Sequence, residues 1–109
     1  MSINAFNPQG NTVTFRANAS APTAVQCVAP GAQTDAYRII NSGNVMVFLG
    51  VGDTAANAAN NAVTFSGNSA PCVPLLPGTD EILIFRPNAY FTGVAASAAI
   101  VYITPGEGL

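Results

Sequence analysis

The sequence breaks into short runs of β-branched and aromatic residues, separated by clusters of Gly, Pro, Asn and Ser. This spacing is typical of an antiparallel sandwich or barrel, and helical periodicity is almost absent. Between residues 12 and 17 polar and apolar side chains alternate, which places Val13 and Phe15 on one face of a half-buried strand. We therefore expect an all-β protein, an antiparallel β-sandwich of about eight strands.

Further apolar runs predict where the other strands lie. They are expected at residues 23–29, 37–41, 44–49, 62–66, 79–86, 89–92 and 97–104. Ser42-Gly43 predicts a hairpin between the runs on either side of it, because glycine tolerates the positive φ of a hairpin turn. The run at residues 79–86 is apolar on both faces, which predicts a strand in the middle of a sheet.

The segments between these runs predict turns and loops. Residues 52–62 are small and polar, and they favour either a short helical turn capped by Asp53 or a surface loop. Three prolines restrict residues 67–77 to loops and sheet edges. The Pro-Gly pairs at 30–31 and 105–106 are expected to end strand pairing. No internal repeat divides the chain, so we expect residues 1–109 to form a single domain.

Charged residues make up 7% of the chain, compared with about 25% in ordinary soluble domains. Lys and His are absent, and a net charge of -2 provides no basic footprint for nucleic acid. Because His and Lys supply the commonest general base and the Schiff-base amine, we predict that the protein is not an enzyme. Asp80 and Glu81 are adjacent, so on a strand they would point to opposite faces and could not act together on one bond.

No cofactor or metal site is predicted. Residues 50–55 match the dinucleotide pattern G-x-G-x-x-A, but no acidic residue lies between Asp53 and Asp80 to bind a ribose. We interpret these glycines as the end of a hairpin strand. Cys27 and Cys72 could form one disulfide in an oxidising compartment, but without an export signal we expect free, buried thiols. Two cysteines without a histidine do not complete a zinc site.

No membrane span or export signal is predicted. The longest nearly apolar run, residues 94–103, is about half of the roughly 20 residues that a bilayer requires. The segment MSINAFNPQG lacks the basic and apolar regions of a secretory signal.

Low charge and sheets that are apolar on both faces predict that a partner protein covers part of the surface. Candidate interface residues are arginines and aromatic residues in or beside strands, since these types are enriched at interfaces. They are Arg16, Arg38, Phe48, Arg86, Tyr90, Phe91 and Tyr102. The arginines have the alternative role of keeping an exposed face hydrated. The aromatic residues, together with Tyr37, have the alternatives of core packing or of a platform that stacks on a sugar or a base.

Three segments resemble small virion proteins encoded among the head genes of tailed bacteriophages. They are YRIINSGNVMVFLGVG, LLPGTDEILIFRPNAYFTG and AAIVYITPGEGL, and together they cover most of residues 36–109. Many such proteins look like head decoration or cement subunits. The resemblance implies a jelly-roll sandwich that is assembled in the bacterial cytoplasm, sits on the head exterior and joins neighbouring major capsid subunits. It also implies a dimer or trimer.

Two alternatives remain open beside this resemblance. A tail, neck or fibre-attachment component of the virion would have a similar composition. A carbohydrate-binding β-module would use Tyr90, Phe91 and Tyr102.

Overall fold

The computed structural model describes residues 6–28, 35–64 and 67–107. Within these ranges the chain forms nine strands and one short helix. The elements are β1 Asn7–Pro8, β2 Val13–Ala17, β3 Val25–Gln26, β4 Ala36–Asn41, β5 Val47–Gly52, α1 Ala55–Asn61, β6 Val73–Leu75, β7 Asp80–Ile84, β8 Tyr90–Ala95 and β9 Ala99–Glu107. The predicted all-β sandwich is confirmed.

Two antiparallel sheets pack against each other. Sheet A has the order β1-β9-β4-β7, with β2 also paired to β9, and sheet B has the order β3-β8-β5-β6. The pairs are nested along the chain: β2 with β9, β3 with β8, β4 with β7, and β5 with β6. This nested pairing is that of one long antiparallel hairpin, which has its tip between β5 and β6 and is wrapped into two layers. The arrangement is a jelly roll.

Alternation along the strands builds the core between the sheets. In β2, Phe15 and Ala17 point inward while Thr14 and Arg16 are exposed, as the sequence pattern predicted. The largest fully buried side chains are Tyr37 and Phe91, whose ring centroids lie 5.0 Å apart in an edge-to-face contact. The Tyr37 hydroxyl donates to the carbonyl oxygen of Arg86, so the tyrosine also anchors the turn after β7.

The connection between β4 and β5 is not the predicted hairpin. β4 belongs to sheet A and β5 to sheet B, so residues 42–46 cross from one layer to the other. Gly43 is required here for close approach, since a Cβ atom would lie 2.5 Å from the Cβ of Ala99. The same small residue that suits a hairpin turn also suits this crossing, which is why the prediction was wrong.

The buried side chain of Asn41 holds the crossing in place. Its Nδ2 donates to the carbonyl oxygens of Val45 at 2.9 Å and Leu75 at 3.0 Å. Its Oδ1 accepts from the N–H of Gly43 at 3.0 Å. The side chain therefore ties the end of β4 to the crossing segment and to β6 of the opposite sheet.

Two expectations about strand position are also wrong. β7 lies at the edge of sheet A and not in the middle, and Ile84 on its second apolar face is 65% exposed. β9 continues through Pro105-Gly106, where Pro105 lies opposite Tyr37 and Gly106 lies opposite Pro8. The ladder tolerates Pro105 because residues 9–12 form an interruption between β1 and β2 at this point, with the N–H of Gln9 donating to the Pro105 carbonyl at 2.7 Å.

Helix α1 packs on the outer face of sheet B. Thr54, and not the predicted Asp53, caps it: the Thr54 hydroxyl accepts from the N–H of Asn57 at 3.1 Å. A Cβ atom on Gly50 would overlap the carbonyl oxygen of Ala58 in the helix, and one on Gly52 would lie 2.5 Å from the Ala58 nitrogen. The glycines of the G-x-G-x-x-A segment therefore allow helix and strand to touch. Gly52 does end strand β5, but β5 does not form the predicted hairpin with β4.

The remaining predictions have mixed outcomes. Of the strand predicted at residues 23–29, the described part pairs only at β3, and residues 62–64 of the strand predicted at 62–66 are not in a strand. Residues 65–66 and the predicted Pro30-Gly31 turn lie outside the described residues. β6 carries Pro74 at the edge of sheet B, as predicted for residues 67–77. Cys27 and Cys72 are free and buried, also as predicted.

Replacing Asn41 with alanine is expected to lower the free energy of unfolding by about 2–4 kcal/mol. The loss arises because the buried carbonyl group of Leu75, the partly buried carbonyl group of Val45 and the N–H of Gly43 lose a partner. Urea denaturation measures the change. Asn60→Ala removes the same group from an exposed position on α1 and serves as the matched control. Equal effects of the two substitutions would contradict the role assigned to Asn41.

Alkaline pH is expected to destabilise the fold through Cys27. Burial raises the pKa of the Cys27 thiol from 9.0 to about 12, and the thiol donates to the carbonyl oxygen of Ile103 at 3.8 Å. Below pH 9 the thiol is protonated in both states. Above pH 9 only the unfolded state releases the thiol proton, so the free energy of unfolding falls as the pH rises toward 12. Denaturation at successive pH values should give a shallower decline for Cys27→Ala, and parallel declines would contradict this account.

Candidate interaction surface

The outer face of sheet A exposes apolar side chains from three adjacent strands. Ile100 and Tyr102 come from β9, Ile40 from β4, and Ile82 and Ile84 from β7. Ile84 is 65% exposed, Ile100 42% and Tyr102 40%. We call this surface the sheet A face.

The strand register makes these side chains neighbours. Tyr102 lies directly opposite Ile40 of β4 and Thr14 of β2, while Ile100 lies opposite Arg16. Side chains opposite each other on one face of a sheet have Cβ atoms about 5 Å apart, close enough to pack. Tyr102, Ile40 and Ile100 therefore form one continuous apolar cluster on the sheet A face.

An ion pair lies within the sheet A face. Both Nε and a terminal nitrogen of Arg38 donate to Oδ2 of Asp80, at 3.0 Å and 2.7 Å. Both side chains are about half exposed, so the pair adds no more than about 1 kcal/mol to stability. Its main effect is to neutralise two charges among apolar residues. Beside it runs a groove of about 600 Å³, lined by Phe6, Pro8, Thr12, Arg38, Asp80, Ile82 and Thr104.

Arg16 lies at the border of the sheet A face, on β2. It adjoins a shallow depression of about 300 Å³ lined by Ser42, Gly43 and residues 98–100. Arg38 pairs with Asp80 and Arg86 pairs with Asp53, but within the described ranges no acidic side chain pairs with Arg16. Its guanidinium is therefore available to a carboxylate on another molecule.

The outer face of sheet B differs because the chain covers part of it. α1 lies over Gly50 and Gly52, and Thr92 is buried with its hydroxyl donating to the carbonyl oxygen of Pro22 at 2.8 Å. Phe48 and Tyr90 are only partly exposed there. Beyond the helix, Phe48 lies opposite Val94 and Pro74 on the same face.

The predicted interface residues are divided among several places. Arg16, Arg38 and Tyr102 come together on the sheet A face, whereas Phe48 and Tyr90 point outward from sheet B. Arg86 lies in the turn after β7 and donates to Asp53 at 2.8 Å. Phe91 has no exposed surface, so the interface prediction is wrong for this residue: it packs in the core.

The alternative aromatic platform is not assembled. Tyr90 and Phe91 belong to β8 in sheet B, while Tyr102 belongs to β9 in sheet A. The sandwich core separates the two tyrosines, so no single sugar ring could stack on both. The residues missed by sequence reasoning are Ile40, Ile82, Ile84 and Ile100. Adjacent apolar residues such as Ile39-Ile40 were the signal for them, since one of each pair must face outward.

Within the described part of the chain, no group of three or more His, Cys, Asp or Glu residues is placed to hold a metal ion. No helix among the described residues is long and apolar enough to span a membrane.

Comparison with known proteins identifies no relative. The sequence matches no protein-family model, no curated protein and no solved structure.

Substitutions on the two faces of β9 are expected to differ in how much they lower the free energy of unfolding. Ile103→Ala removes a fully buried side chain and should cost about 2–5 kcal/mol. Ile100→Ala, on the sheet A face, should cost less than about 1 kcal/mol, which is the range of strand propensity. Chemical denaturation of the two variants measures both values. A cost for Ile100→Ala as large as that for Ile103→Ala would mean that Ile100 is part of the core.

Proposed function

We propose that the protein is a capsid decoration, or cement, protein of a tailed bacteriophage. In this proposal it binds the outer surface of the head lattice through the sheet A face and joins neighbouring major capsid subunits. The observation that carries the proposal is an apolar sheet face left exposed on a chain with only 7% charged residues. The jelly-roll pairing and the resemblance of residues 36–109 to phage head proteins support it.

The chemistry of the sheet A face suits a protein partner. Its apolar cluster of Ile40, Ile100 and Tyr102 would gain about 25 cal/mol for each Å² that a capsid subunit removes from water. Arg16 would pair with a carboxylate of that subunit, and the threonines around the cluster would supply hydrogen bonds at the rim. The Arg38 and Asp80 side chains already neutralise each other, so covering them leaves no unpaired charge.

The mechanism is mass action. A subunit that binds the expanded head lattice, and no earlier state, stabilises that lattice by an amount set by its concentration and dissociation constant. No bond is made or broken, so the proposal requires no catalytic group or cofactor. The protein would assemble onto heads in the bacterial cytoplasm and self-associate as a dimer or trimer.

Cryo-electron microscopy of the virion tests the placement. We expect the chain at many symmetry-related positions on the head exterior, with the sheet A face toward the shell. Copies confined to the tail or neck would overturn the proposal in favour of a tail component.

Arg16→Ala is expected to weaken binding to undecorated heads by about tenfold or more, which corresponds to about 1.4 kcal/mol. Co-sedimentation with heads that lack the protein measures this. Arg86→Ala makes the same change of charge away from the sheet A face and should bind as the parent does. Tyr102→Ala and Tyr90→Ala form a second matched pair, of which only the first should weaken binding. If both arginine variants bind equally well, the sheet A face is not the contact.

A further inference from the structure

One sheet edge is left open in a fold whose other edges are shortened or interrupted. β3 has two residues, β6 contains Pro74, and the edge formed by β1 and β2 contains Pro8 and the interruption at residues 9–12. β7 is different: its five residues, DEILI, contain no proline and no glycine. Asp80 and Glu81 give one end of this edge a charge, but in the described part of the chain no proline and no covering element prevents it from pairing with another strand.

The ladder with β4 determines which backbone groups of β7 remain free. The N–H of Phe85 donates to the carbonyl of Asp35 at 2.8 Å, and the N–H of Asn41 donates to the carbonyl of Thr79 at 3.0 Å. In an antiparallel pair the bonded positions alternate, so the odd-numbered residues of β7 bond to β4. The N–H and C=O groups of Asp80, Ile82 and Ile84 therefore point away from β4. No strand in the described part of the chain pairs with them.

The side chains along this edge are asymmetric. The acidic residues Asp80 and Glu81 begin the strand, and Ile82, Leu83 and Ile84 complete it. Ile84 is the most exposed of the large apolar residues that the structure describes. A second strand laid against this edge would cover it and would continue the sheet A face.

We propose that two copies of the protein associate through antiparallel pairing of their β7 strands about a two-fold axis, with Ile82 opposite Ile82 of the second copy. In this register Asp80 of each copy lies opposite Ile84 of the other. The backbone N–H and C=O groups of Asp80, Ile82 and Ile84 in each copy are then paired with the other copy, which gives about six backbone hydrogen bonds. The two copies of sheet A become one continuous sheet.

The charges of β7 disfavour two alternative arrangements. Parallel pairing would set Asp80 against Asp80 and Glu81 against Glu81, and like charges directly opposite each other destabilise a sheet. An antiparallel register centred on Glu81 also opposes like charges. Centring on Ile82 places the two Asp80 residues at opposite ends, about 14 Å apart at about 3.4 Å per residue, which exceeds the screening length of about 8 Å at physiological salt. The strand is thus complementary to a second copy of itself.

This contact deepens the self-association included in the proposed function, and it can be tested without capsids. Sedimentation equilibrium of the purified protein should show a monomer–dimer equilibrium at concentrations up to about 1 mM. Ile82→Lys and Ile82→Glu should each be monomeric, because either change places like charges opposite each other. An equimolar mixture of the two variants should restore the dimer, because Lys then faces Glu.

Ile82→Pro provides a second test, since it removes an N–H that faces away from β4 and leaves the β4 ladder intact. We expect it to raise the dissociation constant by at least about 100-fold, whereas Ile100→Lys, on the sheet A face but away from the edge, leaves it unchanged. A monomer at every concentration would overturn the inference, as would a dimer that tolerates each single charge at Ile82. Because no head is present in these measurements, such a failure would leave the capsid-binding proposal standing.

Discussion

The crossing from β4 to β5 is the point on which the two-layered structure depends. If the chain turned back on itself after β4, the two strands would form one hairpin in one sheet. Instead, the Asn41 side chain hydrogen-bonds to the crossing segment and to β6, and Gly43 lets the chain pass close to Ala99. Because β4 and β5 lie in different sheets, the later strands pair with them in nested order and produce a jelly roll.

The two outer faces of this sandwich are not equivalent, and the difference traces to single residues. Gly50 and Gly52 leave room for α1 against sheet B, so the helix covers part of that face. On sheet A the comparable close approach is at Gly106, where Phe6 packs, and the isoleucines and Tyr102 remain at the surface. The partner that we propose would bind sheet A, where apolar side chains and Arg16 lie together.

β7 links the two surfaces for which we propose partners. Its outward-facing side chains belong to the sheet A face, and the backbone groups of the same residues form the open edge of the sheet. Pairing through the edge would join two such faces side by side around a two-fold axis, and a doubled face binds a repeating lattice more strongly than a single one. In these two proposals, one five-residue strand would connect self-association with attachment.

Alternation of side chains is a local property, so the sequence by itself determined that the chain is an all-β sandwich, that Phe15 points inward, and that one of each adjacent apolar pair faces outward. The choice between hairpin and crossing at Ser42-Gly43 was not local, because the same turn residues suit both. Likewise, an apolar run such as residues 79–86 has the same sequence pattern in a central strand as in an edge strand. Only the tertiary structure decided that β7 is an edge, that Phe91 is core, and that Arg16, Arg38 and Tyr102 share one face. These outcomes depend on which strands pair across long stretches of chain, and that is settled by packing and buried hydrogen bonds such as those of Asn41.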